Sequence, residues 1–276
     1  MAPMDEQEGV PRRSVRRMGR VSEEDGGLSY GTYLGIPELL GLQRLMSDPP
    51  AHDELLFIIV HQAYELWFKE LLFELESVRE AMFGRDPERA RHLLARVHAI
   101  ERVLIEQIPV IESMSPQDFL EFRSNLSPAS GFQSVQFREI EFISGLKHPS
   151  FLAHLGDTEE ERKRLERRMD EPTLWEAFCD LLGASGLPMP DDEEVRRASL
   201  LEMARDREKY GELWYLSEGL LTHDELFSLW RYRHILMVTR QIGSKTGTGG
   251  SSGASYLRTT LDKRFFPELW QIRGDL

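Results

Sequence analysis

The amino-acid sequence predicts an all-α protein carrying a small helical insertion. Three observations carry this reading. Nearly every segment after residue 36 repeats its apolar residues with helical period. Convincing alternating strands are absent. The segments are bounded by helix punctuation: prolines in first turns, Ser and Thr at starts, and glycine after the last periodic residue. At 276 residues and 41% hydrophobic, the chain is long enough to bury a substantial core.

Taken in order, residues 1–27 read as a disordered polar tail. Arginines at 12, 13, 16, 17 and 20 are not followed by the apolar run that a secretory or twin-arginine signal requires. A first helix is expected over 36–47, with Pro37 in its first turn and Pro49 and Pro50 closing it. A long second helix covers about 52–83. Its apolar run is broken by His61, Gln62, Glu65, Lys69 and Glu70, too polar for a membrane span of about 20 residues. Residues 87–113 form a third helix bent at Pro109, and Ser115 caps a fourth before Pro116. "SPASGF" interrupts, and "QSVQFREIEFISGL" resumes helix.

Residues 28–144 thus form the first part of a main domain, and composition shifts over 145–200 to charged residues and turn formers. This is the helical insertion, its charge run expected to form solvated faces. Residues 201–276 complete the main domain. A helix from 198 to about 218 leads into "LLTHDELFSLWRYRHILMVTRQIG", where Thr222 and Glu225 have capping-box spacing and Gly243 stands at the C-terminal glycine position.

Net charge of −13 and a pI near 5.2 argue against a nucleic-acid surface, which needs clustered Lys and Arg. The single cysteine, Cys179, forms no internal disulfide and no thiolate metal site. The expectation is a cytoplasmic protein with neither nucleic-acid nor membrane partner.

Among eight histidines, position on the helix separates two. His234 lies four after Trp230, seven after Phe227 and three before Met237; His61 lies four after Phe57 and three before Tyr64. Both project from apolar stripes, and the other six read as surface residues. Each of the two is either a core histidine bonded to a carbonyl or a ligand. Of the metal readings, haem is contradicted least, because it needs a single protein ligand in an apolar pocket. Arg123, four after Phe119, is either a snorkelling arginine or a fork for a ligand carboxylate. The run "GSKTGTGGSSG" (243–253) lacks the glycine that a phosphate loop places before its lysine, and follows a helix rather than a strand. It is either a linker or, given the aromatic tail that follows it, a loop folded onto the core.

The stretches "LSYGTYL" (28–34), "FIIVHQAYELWFKELLFEL" (57–75), "DFLEFRSNLSPASGFQSVQFREIE" (118–141) and "GSKTGTGGSSGASYLR" (243–258) resemble the tryptophan 2,3-dioxygenase family. The resemblance runs from about residue 28 to the C-terminus and is weakest over 145–200. It implies an all-α haem-dioxygenase fold, a homotetramer, and insertion of both atoms of O2 across the indole C2–C3 bond of L-tryptophan. The product would be N-formyl-L-kynurenine, the first step of the kynurenine pathway. It further implies one haem b per subunit, ferrous when active, with His234 as axial iron ligand. His61 becomes the distal histidine, Arg123 the carboxylate-binding residue and Thr248 the ammonium contact. Phe57 and Phe119 become walls of the indole pocket, and Ser130 a residue at the haem edge. Tyr30, Tyr33 and Leu34 fall on an N-terminal segment that reaches into the neighbouring subunit's site.

Overall fold

Leu71, Leu75, Val78 and Met82 recur at three- and four-residue intervals and are fully buried, so one face of a single long helix is given over to the core. That helix, α3, runs Glu54–Phe83 in the computed structural model, which describes residues 28–149, 158–250 and 252–276. The tail expected over 1–27 and His154 lie outside the described residues.

The chain divides into two units, residues 1–43 and 44–276. In the first, α1 (Tyr30–Leu34) is started by a capping box: Thr32 N donates to Ser29 Oγ at 3.2 Å, and Ser29 N donates to Thr32 Oγ1 at 2.9 Å. Gly35, at φ +60°, ends it in the left-handed region that glycine occupies without strain, and α2 (Ile36–Leu40) follows. The helix expected over 36–47 is therefore shorter. Beyond it, Met46 N and Ser47 N are satisfied by the buried Glu54 carboxylate, at 2.7 and 3.0 Å, instead of by helical carbonyls.

In the second unit, α4 (Pro87–Glu106) lies against both α3 and α11 (Arg207–Ile242), and these three helices form the centre. The chain breaks at Gln107, and α5 (Ile108–Glu112) and α6 (Pro116–Phe122) follow, the latter capped by Ser115 as expected. After short 3-10 turns at Arg123–Leu126 and Gly131–Gln133, α7 (Val135–Ile143) packs on α3. Three helices occupy the charged region: α8 (Glu159–Asp170), α9 (Leu174–Ala184) and α10 (Glu193–Arg205). They pack on α7, α3 and α11 respectively. No strand occurs among the described residues.

The charge run at 159–171 is more than a solvated face. Arg168 is 2% exposed and joins Glu76 of α3, Glu139 of α7 (3.5 Å) and Glu171 (2.8 Å). Glu139 also pairs with Arg164. Opposite charges brought together out of water hold α8 to its neighbours, because removing one partner would strand a buried charge.

The helix expected to start at Thr222 is instead the continuation of α11, 36 residues and about 54 Å long at 1.5 Å per residue. Its one non-helical residue, Tyr210, lies near the start. Thr222 bonds back to the Glu218 carbonyl at 2.9 Å and caps nothing. Tertiary burial explains the continuation: Leu216, Leu220, His223 and Phe227 form one stripe, and all are buried. His223, read from the sequence as a surface residue, is fully enclosed, its Nδ1 2.6 Å from Glu101 and its Nε2 2.9 Å from Ser144 Oγ. Beside it the buried Asp224 accepts from Phe265 N (2.9 Å), Phe266 N (3.1 Å) and Trp270 Nε1 (2.9 Å). That one carboxylate fastens the C-terminal segment, α12 (Ala254–Arg258) to α13 (Pro267–Gln271), whose Phe265, Phe266 and Leu269 enter the core.

Candidate active site

Residues 57, 61, 64 and 68 share one face of α3, and 230, 234, 237, 238 and 241 share one face of α11, by the three- and four-residue spacing of helical neighbours. The two faces line one pocket with Phe119 and Arg123 of α6 and the turn after it, the 130–138 segment, and residues 247–260. About 1640 Å³ of space free of protein atoms lies within it, its open mouth included. Six of the residues singled out from sequence meet here: Phe57, His61, Phe119, Arg123, Ser130 and Thr248, with His234 across from them. Tyr30 and Leu34 belong to the other unit, on α1, where their side chains are exposed.

The walls are aromatic. Phe57 stacks on Phe119 with centroids 5.7 Å apart, and Phe122 closes edge-on to both, at 5.6 and 5.4 Å. Such stacked and edge-on pairs make a rigid, apolar surface for a flat ring. Phe132 and Tyr256, which sequence reasoning did not select, meet edge-on at 5.1 Å on the loop side.

His61 Nδ1 lies 2.7 Å from the Phe57 carbonyl, so Nδ1 carries the proton and Nε2 keeps its lone pair. The imidazole opens onto the pocket's interior and is otherwise enclosed by protein atoms. That desolvation lowers its pKa, which the Phe57 carbonyl and Glu65 only partly offset. His61 is neutral at neutral pH.

His234 is held differently. Its ring lies parallel to Trp230, 7° between planes and 5.1 Å between centroids. Burial pushes its pKa down to about 4, with His61 adding a smaller push in the same direction. Among the described residues the imidazole has no hydrogen-bond partner, so a neutral ring with a free lone pair lines an apolar pocket. This is the state in which imidazole ligates a metal. No cluster of three or more His, Cys, Asp or Glu stands among the described residues, so an iron held here would bring its other ligands with it. The donor set fits haem.

Arg123 donates from Nη2 to the Thr246 carbonyl, and its Nε is buried with no partner among the described residues. A guanidinium with one edge unfilled, beside stacked phenyl rings, suits a planar anion. Thr248 donates its hydroxyl to the Ala129 carbonyl at 2.6 Å, which leaves its oxygen as a pure acceptor. The glycine-rich segment lies against the 127–130 turn. Gly243, Gly250 and Gly253 have φ of +59°, +79° and +63°, conformations that side chains disfavour.

Sequence reasoning missed a charged cluster at the pocket wall. Glu141 accepts from Arg138 at 2.5 Å and from Arg231 at 2.8 Å, all three buried, and Arg231 also reaches the Lys263 carbonyl at 3.2 Å. The helical spacing of Arg138 and Glu141 was visible; the arrival of Arg231 from 90 residues away was not.

Comparison with known proteins gives one consistent result. A family model described as tryptophan 2,3-dioxygenase matches residues 15–177 and 189–276. A tryptophan 2,3-dioxygenase from Nocardioides sp. is 56% identical over 259 residues, covering 92% of this chain and 97% of its own. Proteins of the same name from Herpetosiphon aurantiacus and Myxococcus xanthus are 44% and 40% identical, covering 90% and 94% of this chain and 98% and 93% of theirs.

Proposed function

The chain belongs to the tryptophan 2,3-dioxygenase family, and from that premise we propose how its pocket serves cleavage of the indole C2–C3 bond of L-tryptophan by O2. Both oxygen atoms enter the product, N-formyl-L-kynurenine, which opens the kynurenine pathway of tryptophan breakdown. The observation that carries this reading is the convergence of His61, His234, Arg123 and Thr248 on one aromatic pocket.

A haem b bound through His234 would supply the ferrous iron at which O2 is activated, one haem to each subunit. The protein's own residues bind and orient. Phe57 and Phe119 wall the indole, and Ser130 lies beside it. Buried charge left unanswered costs several kcal/mol, so a zwitterion needs both ends met. Arg123 answers the carboxylate through the open Nε and through Nη2 once it leaves the Thr246 carbonyl. Thr248, whose hydroxyl proton is already donated to the Ala129 carbonyl, accepts from the ammonium through an oxygen lone pair. His61 Nε2 accepts the indole N–H and thereby fixes the ring's rotation, an orienting role that needs no proton transfer.

Tyr30, Tyr33 and Leu34, with 79%, 64% and 44% of their surface exposed, support a homotetramer in which the N-terminal segment of one subunit completes its neighbour's site. No described helix is long and apolar enough to cross a membrane. A cytoplasmic location is our proposal from the single cysteine, which suits a reducing compartment.

The test is an aerobic assay with ascorbate and L-tryptophan on protein purified after expression with haem supplied. Growth of the N-formylkynurenine absorbance, with a Soret band that shifts on adding substrate, is the expected result. A shifting Soret band without product would instead identify a helical haem-binding sensor, and colourless protein a purely structural role.

A further inference from the structure

Three glycines of the 243–253 segment are explained by their positive φ, but Gly249 is not among the residues with positive φ. Its backbone would accept a side chain. What excludes one is a neighbour: a Cβ at 249 would stand 2.6 Å from Ser130 Cβ and 3.1 Å from Ser130 Oγ. Carbon atoms do not approach so closely, so a methyl group there forces one of the two segments to move.

Ser130 is poorly placed to yield. It caps the Gly131–Gln133 turn, its N–H donating to Gln133 Oε1 at 2.9 Å and its Oγ accepting from Phe132 N at 3.4 Å. The glycine-rich segment is tied at Thr246 by Arg123 Nη2, and next to Gly249 by Thr248 Oγ1 on the Ala129 carbonyl and Ser127 Oγ on the Thr248 carbonyl at 3.4 Å. The two contacts at Thr248 adjoin the point of collision. A methyl at 249 therefore lifts the loop and carries Thr248 with it.

We propose that Gly249 is a positioning residue: its missing side chain lets the loop seat on Ser130, and that seat sets where Thr248 meets the substrate's ammonium group. This rests on the reading of the pocket as a tryptophan site. The seating itself is a property of the chain alone and is testable without turnover.

Two measurements on Gly249→Ala, Ser130→Gly and the double variant decide it, with haem content and melting temperature recorded for each. The first is the rate of trypsin cleavage after the exposed Lys245 in the holoenzyme. Gly249→Ala is expected to be cleaved at least fivefold faster than the natural protein, whereas adding it to Ser130→Gly, where the obstructing atoms are gone, changes the rate less than twofold. The second is steady-state kinetics with L-tryptophan. Gly249→Ala should raise KM about tenfold or more with kcat within twofold, and should raise it less than threefold in the Ser130→Gly background.

Natural cleavage rate and natural KM in Gly249→Ala would overturn the proposal, as would an equal penalty in both backgrounds. If the single variant does not fold, the comparison of Ser130→Gly with the double variant decides alone: near-equal values support the seat and a tenfold difference overturns it. Faster cleavage of Gly249→Ala in a protein that shows no tryptophan turnover at all would uphold the seat while rejecting the tryptophan reading.

Discussion

Replacing Arg123 with alanine measures how much of tryptophan binding the guanidinium supplies. In the free protein Nη2 already donates to the Thr246 carbonyl, so substrate exchanges a neutral acceptor for a charged one there, while Nε gains a partner where it had none. A hydrogen bond to a charged group contributes about 1.5–3 kcal/mol and one to a neutral acceptor about 0.5–1.5 kcal/mol. One new charged bond and one exchange together amount to about 3 kcal/mol, or roughly a hundredfold in affinity, somewhat less because Arg123 is only half-buried. Arg123→Lys keeps the charge but loses the fork, and should lie between the two. The assay is steady-state KM at saturating O2, paired with titration of the substrate-induced Soret shift as a direct affinity. A KM for Arg123→Ala within threefold of the natural enzyme would refute the carboxylate role.

Further expectations concern the iron ligand, the core and pH. His234→Ala should lose stable haem binding, read as haem content after gel filtration; full occupancy with an unchanged spectrum would exclude His234 as ligand. Asp224→Ala strands two buried backbone donors, at about 1–3 kcal/mol each, besides the half-buried Trp270 indole N–H, so urea unfolding should show a loss of at least about 2 kcal/mol; a loss under 1 kcal/mol would mean the C-terminal segment is held by its aromatics alone. Burial pushes His98 down to about 4, with its Nε2 on the Gly219 carbonyl at 2.9 Å. Unfolded, the same ring titrates near 6.5, so between those values the unfolded chain binds more protons and stability is lost as pH falls from about 6.5 toward 4. His98→Gln should flatten the fall in melting temperature between pH 7 and 5, and an unchanged slope would assign that fall to other groups.

How much of this was legible in the sequence depends on whether a signal was local. Ser115 and Gly243 mark real helix ends because capping is settled within a turn of chain. Thr222 misled for the same reason: its spacing to Glu225 is a valid local pattern, overruled by the burial of Leu220, His223 and Phe227 along a continuing helix. The stripe that would have rescued His223 was present at 216, 220, 223 and 227. His61, His234 and Arg123 could be picked out by apolar neighbours at helical spacing, and they do share a pocket. Nothing in the spacing could show that Glu54 satisfies the chain at 46 and 47, or that Arg231 meets Glu141, since both depend on how distant segments meet.

Asp224 and His234 are ten residues apart on one unbroken helix, the first anchoring the C-terminal segment and the second facing the pocket. Each residue advances a helix by about 100°, so a single insertion or deletion between them would swing the imidazole a quarter-turn or more away from the cavity while the anchor stayed in place. The stretch 225–233 therefore behaves as a ruler of fixed length. Among natural or engineered variants of this chain, substitutions at its exposed positions, such as Leu229 and Tyr232, are open to trial, but changes in residue number are not.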